Sequence, residues 1–366
     1  MQLIRVNALK PGMVLGEDLY GSEGELLLAK GQELTAQHIV RLASSVFEMV
    51  AIYGDEEDEM DSPPATKIIG ETLRRNTARA LTSFYKAIHT EQKKSAQLFQ
   101  QLKLHLEEII DEILRNQEIV INIANLKHYD DYTYQHSVNV AIICIAVGAS
   151  MDMSRAALSR LGMGALLHDI GKIFIPKEII RKPGRLDLKE LEEVKQHTVL
   201  GYKYLSQNWD VPMEALIGAL SHHERCDGSG YPYGLRRDKL PQEAKLIAIC
   251  DVYDAMTSER PYRKALSPSE AMEHIIGNSG ILYDEKLIES FFKKIEPYPV
   301  GTPVILSNGY RGRVVKNHMN ALIRPVVAVG DSEAERQCLD LLNDPRLWDV
   351  TIIGVDRKTS QESDPA

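Results

Sequence analysis

The chain has 366 residues, 44% hydrophobic and 26% charged, with a formal net charge of −9. That length suits roughly two or three globular domains with sizeable cores. The acidic balance argues against broad electrostatic attraction to a nucleic-acid polymer, so a small anionic ligand would need local cations or metal ions to hold it.

The N-terminus lacks a basic segment followed by a sustained apolar one, so no secretory signal is expected. The longest apolar stretch, Val138 to Ala149, is interrupted by Asn139 and falls short of a bilayer span. A soluble, cytoplasmic chain with no membrane partner is expected. The four cysteines, Cys144, Cys226, Cys250 and Cys338, form no CxxC pair, which argues against a disulfide framework. Cys144 and Cys250 lie in apolar runs and read as core residues.

In chain order, residues 1–54 read as a small α/β module. Met13 to Tyr20 and Glu25 to Ala29 are strand-like, with a hairpin signalled by Gly21 and Gly24. Thr35 suits the N-cap of a helix from Ala36 to Ala43, and Phe47 to Tyr53 reads as another strand. Residues 55–118 form an acidic linker containing Pro63 and Pro64, followed by a helical run. There Phe99, Leu102, Leu106, Ile109 and Ile113 recur at heptad-like spacing. The stripe either packs on the next domain or forms a stalk that makes a homodimer through residues 67–116.

Residues 119–296 are expected to be all-helical, with helices over Tyr134–Ala149, Ser154–Leu167, Leu188–Ser206 and Met213–His222. Asp187 and Glu190 have the spacing of a capping box. Residues 297–356 read as a small β-rich module, with strands at Pro303–Leu306, Gly312–Val315, Ala321–Val329 and Trp348–Val355. Residues 357–366 form a polar tail, expected to be disordered. The fold class expected is therefore mainly α, flanked by two small strand-containing modules.

The helical region concentrates groups with metal-ligating chemistry: His136, His168, Asp169, His197, His222, His223 and Asp251. Imidazole nitrogen and carboxylate oxygen suit Fe, Mn, Ni or Zn. Seven ligands exceed the needs of one ion, and a shared carboxylate bridges paired ions that clamp a phosphoryl displacement. Asp169, flanked by His168 and central in the set, is the natural bridge. Lys172, three residues on, shares its face if the helix continues and is placed to neutralise a phosphate oxygen or assist the leaving group. Asp227 to Gly230 make a turn, after which Tyr231 and Pro232 offer flat apolar surface. Arg260 and Arg263 carry planar forks suited to phosphate. Glu224 is available to orient a histidine. Lys177, Arg181, Lys182 and Arg185 form either a local basic patch that draws in a nucleotide or an ordinary solvated loop.

The joint order of HDIGK, a lone histidine in VKQHT, HHERCDGSGYP and CDVYDAMTSERPYR resembles the HD-GYP family, a branch of the HD-domain metal-dependent phosphohydrolases. The resemblance covers residues 119–296, including the triplet Gly230-Tyr231-Pro232. It implies a helical HD core that hydrolyses cyclic di-GMP to pGpG, and often onward to GMP. It also implies two divalent ions, with His136, His168 and Asp251 on one, His197, His222 and His223 on the other, and Asp169 shared. The substrate contacts carried over are Lys172, Gly230, Tyr231, Arg260 and Arg263. Family members with a third ion supply a glutamate one turn before the first histidine. Tyr132 stands there, so two ions are expected. Two competing readings are a cyclic di-GMP-binding effector with little turnover and an HD nucleotidase with another substrate.

Overall fold

The structure is a computed structural model. It describes residues 2–6, 9–16, 19–20, 26–43, 49–53, 69–88, 90, 92–116, 132–180, 182, 184–258, 265–298, 300–318, 321–330 and 336–356. The acidic linker and the polar tail lie outside them.

The described residues up to 53 form one compact unit. Strand β1 (Gln2–Arg5) precedes β2 (Leu19–Tyr20), β3 (Leu26–Leu28), helix α1 (Ala36–Ala43) and β4 (Met49–Ile52). β2 and β3 pair antiparallel, as the glycine spacing suggests, and β1 pairs antiparallel with β4. The Thr35 hydroxyl accepts from the His38 amide at 3.2 Å, capping α1. The β1 pairing is not foreshadowed by any turn signal, because its partner lies some 45 residues away.

The second unit is mainly helical. Helices α2 (Glu71–Ala87) and α3 (Gln92–Arg115) pack as a hairpin, and α3 also packs on α5 (Arg155–Leu167). The heptad-like stripe of α3 is therefore turned inward. Phe99, Leu102, Leu106, Ile109 and Ile113 join one hydrophobic core with α4 (Tyr132–Ser150) and α5. Each such side chain contributes about 1.5–3 kcal/mol by burial. Of the two readings of the stripe, this is packing on the adjoining domain.

Beyond α5 come a 3-10 turn (Ile170–Phe174), α6 (Lys177–Ile180), α7 (Leu188–Lys195), α8 (His197–Asn208), α9 (Met213–Ser221), α10 (Gln242–Thr257), α11 (Pro268–Gly277) and α12 (Glu285–Phe292). Asp187 and Glu190 form the expected reciprocal capping box at α7. The single helix expected over Leu188–Ser206 is two, meeting at Gln196. The break matters, because it puts His197 at a helix junction rather than on a helix side. Cys144 and Cys250 are fully buried in this core. Among the described residues, no helix is long and apolar enough to cross a membrane.

After α12 the described residues form a five-stranded antiparallel sheet of order β8-β7-β6-β5-β9. Its strands are β5 (Pro303–Leu306), β6 (Arg311–Lys316), β7 (Val326–Val329), β8 (Gln337–Asp340) and β9 (Ile352–Val355). It has its own core around Val304, Val314, Val327 and Leu339. The sequence pattern misses β8, because Leu339 is the only buried residue of that strand.

Candidate metal centre

Four histidines have their rings fixed through Nδ1, three of them by carbonyls at helix ends. The last carbonyls of a helix have no intrahelical donor. His168 follows the end of α5 and donates from Nδ1 to the Ala165 carbonyl at 2.7 Å. His222 follows α9 and donates to the Ala219 carbonyl at 2.6 Å. His197 opens α8 and reaches back to the Val194 carbonyl of α7 at 2.7 Å. A carbonyl only accepts, so each Nδ1 carries the proton and each Nε2 presents a lone pair. The fourth, His136 in α4, donates from Nδ1 to Asp254 Oδ2 at 2.7 Å and points Nε2 at Asp251 Oδ1, 3.1 Å away.

These lone pairs converge. His136, His168 and Asp251 offer atoms that lie within 4.8 Å of one another, and so do Asp169, His197, His222 and His223. Asp169 joins the two groups. Its Oδ2 is 3.4 Å from His168 Nε2, while its Oδ1 is 3.6 Å from His197 Nε2 and 4.0 Å from His222 Nε2. His223 Nδ1 lies 3.8 Å from Asp251 Oδ2, a second link between the groups.

Protonation suits a cation. Burial lowers His197 to about 4 and His223 to about 3, and pushes His222 well below its usual value, so all three are neutral, the form a metal ion requires of imidazole. Burial opposes ionisation of Asp169, yet Lys172 and His168 hold it well below the usual carboxylate range. Asp251 is likewise held down against its burial by His136. Burial disfavours charge on His136, but Asp251 and Asp254 overrule it and raise the group to about 10. The His136–Asp251 pair thus favours a shared cation, proton or metal alike.

The residues fit a metal on grounds independent of these shifts. His168 Nε2 and Asp169 Oδ1 are buried without a hydrogen-bond partner. His197 Nε2 and His222 Nε2 face each other at 3.4 Å with both Nδ1 protons already donated. Opposed lone pairs repel unless a cation lies between them. Nitrogen and carboxylate donors of this kind suit first-row divalent ions.

Lys172 is where the spacing put it, by a different route. The helix does not continue past Leu167, and residues 170–174 form a 3-10 turn instead. In a 3-10 turn residues i and i+3 eclipse, and Lys172 Nζ sits 2.5 Å from Asp169 Oδ2. Its side chain is one-third exposed, so the ammonium borders solvent as well as the carboxylate.

The loop carrying the GYP triplet packs against the second ligand group. A Cβ on Gly230 would come within 2.4–2.5 Å of the His223–Arg225 backbone, so glycine is required for that approach. The Tyr231 ring then lies on the His223 imidazole, centroids 4.7 Å apart and tilted 32°, with Lys195 Nζ 5.6 Å from the ring centroid. Gly228 has φ of +85°, the turn geometry that the glycines suggest. Glu224 does not orient a histidine. Its two oxygens accept from the Tyr233 and Leu235 amides at 2.8 and 2.9 Å, bracing the loop. Lys182 of the basic segment is paired with Glu190 at 2.6 Å, which weakens the patch reading. Arg181, Arg260 and Arg263 lie outside the described residues, as does the Tyr132 side chain, although Tyr132 itself begins α4.

Asp254 escaped the sequence reading. It is fully buried and binds His136 Nδ1 at 2.7 Å and Asn139 Nδ2 at 3.1 Å. Its position three residues after Asp251 on α10 was the available signal. Such outer partners fix ligand orientation. Asp254→Asn is expected to weaken metal binding at the His136 group by roughly 10–100-fold, with the helical signal unchanged. Metal titration checks this, and undiminished affinity would remove Asp254 from the site.

A His-Asp pair at the end of one helix, completed by ligands from the surrounding helices, defines an HD-domain protein, and residues 118–287 match the family described as HD domain. The chain is 35% identical over 271 residues to a cyclic di-GMP phosphodiesterase of Pseudomonas aeruginosa, covering 73% of this chain and 65% of that one. It is 32% identical over 254 residues to a cyclic di-GMP phosphodiesterase response regulator of Xanthomonas campestris, covering 67% and 66%. The matches thus span just under two thirds of each relative. A solved structure of an HDG"Y"P protein from Bdellovibrio bacteriovorus shares the fold at a TM-score of 0.50, with 16% identity and coverage of 79% of this chain and 97% of that one. Residues 118–287 thus carry an HD domain, and the chain is similar across it to cyclic di-GMP phosphodiesterases.

Proposed function

We propose that this chain hydrolyses cyclic di-GMP to pGpG as part of bacterial signal transduction, using two divalent ions. Iron or manganese suits the donor set best, with nickel and zinc as alternatives. His136, His168 and Asp251 would hold one ion, His197, His222 and His223 the other, with Asp169 shared between them. The observation that carries this reading is that the two oxygens of Asp169 face separate histidine groups, 3.4 Å from one and 3.6 Å from the other. When bound, the ions supply Lewis acidity and an ionised water near neutral pH.

The chain's own residues do the rest. Asp169 holds the Lys172 ammonium at 2.5 Å, where it offsets charge on a phosphoryl oxygen or on the departing ribose oxygen. Water adds to phosphorus, the bond to that ribose oxygen breaks, and the leaving oxygen takes up a proton. Tyr231 keeps the His223 ring in place by stacking on it, and Gly230 lets the loop approach closely enough for substrate to meet its edge. Arg260 and Arg263 are assigned to phosphate or guanine contacts.

The test is direct. Protein loaded with Mn or Fe(II) is mixed with cyclic di-GMP, and pGpG is followed by chromatography. Formation of pGpG is the expected result. Tight binding without product would mark a receptor. Preferential cleavage of another cyclic dinucleotide would overturn the substrate.

A further inference from the structure

Asn139 interrupts the apolar run from Val138 to Ala149, and the ligand set described above gives it no part. It lies in α4 one helical turn beyond His136, so the two side chains share a face. It is 5% exposed. Its Nδ2 donates to Asp254 Oδ1 at 3.1 Å, while Oδ2 of the same carboxylate accepts the Nδ1 proton of His136 at 2.7 Å. One face of α4 thus grips both oxygens of a single carboxylate on α10.

With its nitrogen turned to Asp254, Asn139 leaves its own Oδ1 buried without a hydrogen-bond partner. A stranded acceptor costs stability, and leucine would fill a similar space without that cost. Packing alone therefore does not account for an amide at this position, whereas its donor does. Asp254 is fully buried, and among the described residues no lysine or arginine pairs with it. Ser258 Oγ reaches Oδ2 at 3.4 Å, a long contact to the oxygen that His136 already uses. Without Asn139, Oδ1 has no side-chain donor among the described residues, and the carboxylate is free to rotate and carry Oδ2 away from His136.

We propose that Asn139 is a positioning residue of the His136 cation seat. By holding Asp254 Oδ1 it fixes Oδ2 on the Nδ1 proton of His136, and so keeps His136 Nε2 aimed into the seat beside Asp251, 3.1 Å away. This rests on the metal-centre reading above. It carries the support of that seat one step further out, back onto the helix that bears the ligand.

Zinc alone is the probe, titrated against a chromophoric chelator. Asn139→Leu is expected to lower the zinc affinity of one seat about tenfold, the low end for groups that orient a ligand, and to leave the other seat unchanged. In an Asp254→Asn background the same substitution is expected to cost nothing more, because the hold it acts through is already cut. In metal-free protein carrying isotope-labelled histidine, the Nδ1 proton resonance of His136, held downfield by its short hydrogen bond to a carboxylate, is expected to move upfield. Those of His168, His197 and His222 are expected to stay in place. A lower melting temperature with unchanged zinc affinity would show the amide to be structural and overturn the proposal. Additive losses in the double variant, or an unmoved His136 resonance, would overturn it too. Should the leucine variant fail to fold, Asn139→Ala removes the same donor and is read in the same way. If the wild type takes up no zinc, the metal-centre reading fails by itself, and the His136 resonance still decides the part played by Asn139.

Discussion

Asp169→Ala is expected to empty both proposed cation seats at once and to lower the proposed phosphodiesterase activity by at least about 10³-fold, the loss that several kcal/mol of charge stabilisation represents. The expectation follows from position. One carboxylate oxygen lies 3.4 Å from His168 Nε2, and the other lies 3.6 and 4.0 Å from the Nε2 atoms of His197 and His222. Asp251 is a second link, between His136 and His223, but among the described residues Asp169 is the carboxylate that lies within 4.0 Å of His168, His197 and His222 together. The fold is expected to survive. Removing Asp169 takes away a buried charge, and its cationic partner Lys172 is one-third exposed and free to turn to water. Circular dichroism and elemental analysis of the same sample test both halves. A variant that keeps its full complement of metal would show that the carboxylate does not bridge.

Gly171→Ala is expected to have the largest effect on stability. A Cβ built on Gly171 would stand 1.8 Å from the His197 carbonyl oxygen and 2.7 Å from the Gly201 amide nitrogen. Both obstacles are backbone, so no rotamer change relieves the clash. The 3-10 turn and α8 must move apart, which costs about 3 kcal/mol or more, at the upper end of what overpacking inflicts. In a unit of this size that lowers the melting temperature on the order of 10 °C. The same displacement drags His197 away from Asp169, so metal affinity falls as well. Gly277→Ala is the control. Nothing lies within 4 Å of its Cβ position and its φ is not positive, so stability is expected to hold or rise slightly. A Gly171→Ala protein as stable as the control would contradict the packing.

Particular elements show how far single-sequence reasoning reached. The hairpin of β2 and β3, the cap at Thr35 and the capping box at Asp187 rest on residues a few positions apart, and the structure contains all three. The division of the 188–208 segment at Gln196 was missed, because VKQHT has no proline or glycine to announce a break. What ends α7 there is the docking of α8 against the Gly171 turn, a contact between segments 26 residues apart. Strand β8 was missed for a similar reason, since its pairing with β7 compensates for a polar sequence.

By itself the sequence determined which chemistry was available: the order of histidines and aspartates, the lysine three residues after Asp169 and the glycines of the GYP loop. Local rules suffice for that, since donor type and short spacing are properties of the chain alone. The carbonyls that fix His168, His197 and His222 lie only three residues back in the chain, and only the tertiary structure decided that their Nε2 atoms gather with Asp169 and Asp251. It alone decided which oxygen of Asp169 faces which histidine, and that Asp254 grips His136 across 118 residues of chain. The physical reason is that orientation and burial depend on close packing between distant segments, and no periodicity within one segment records its partner in space.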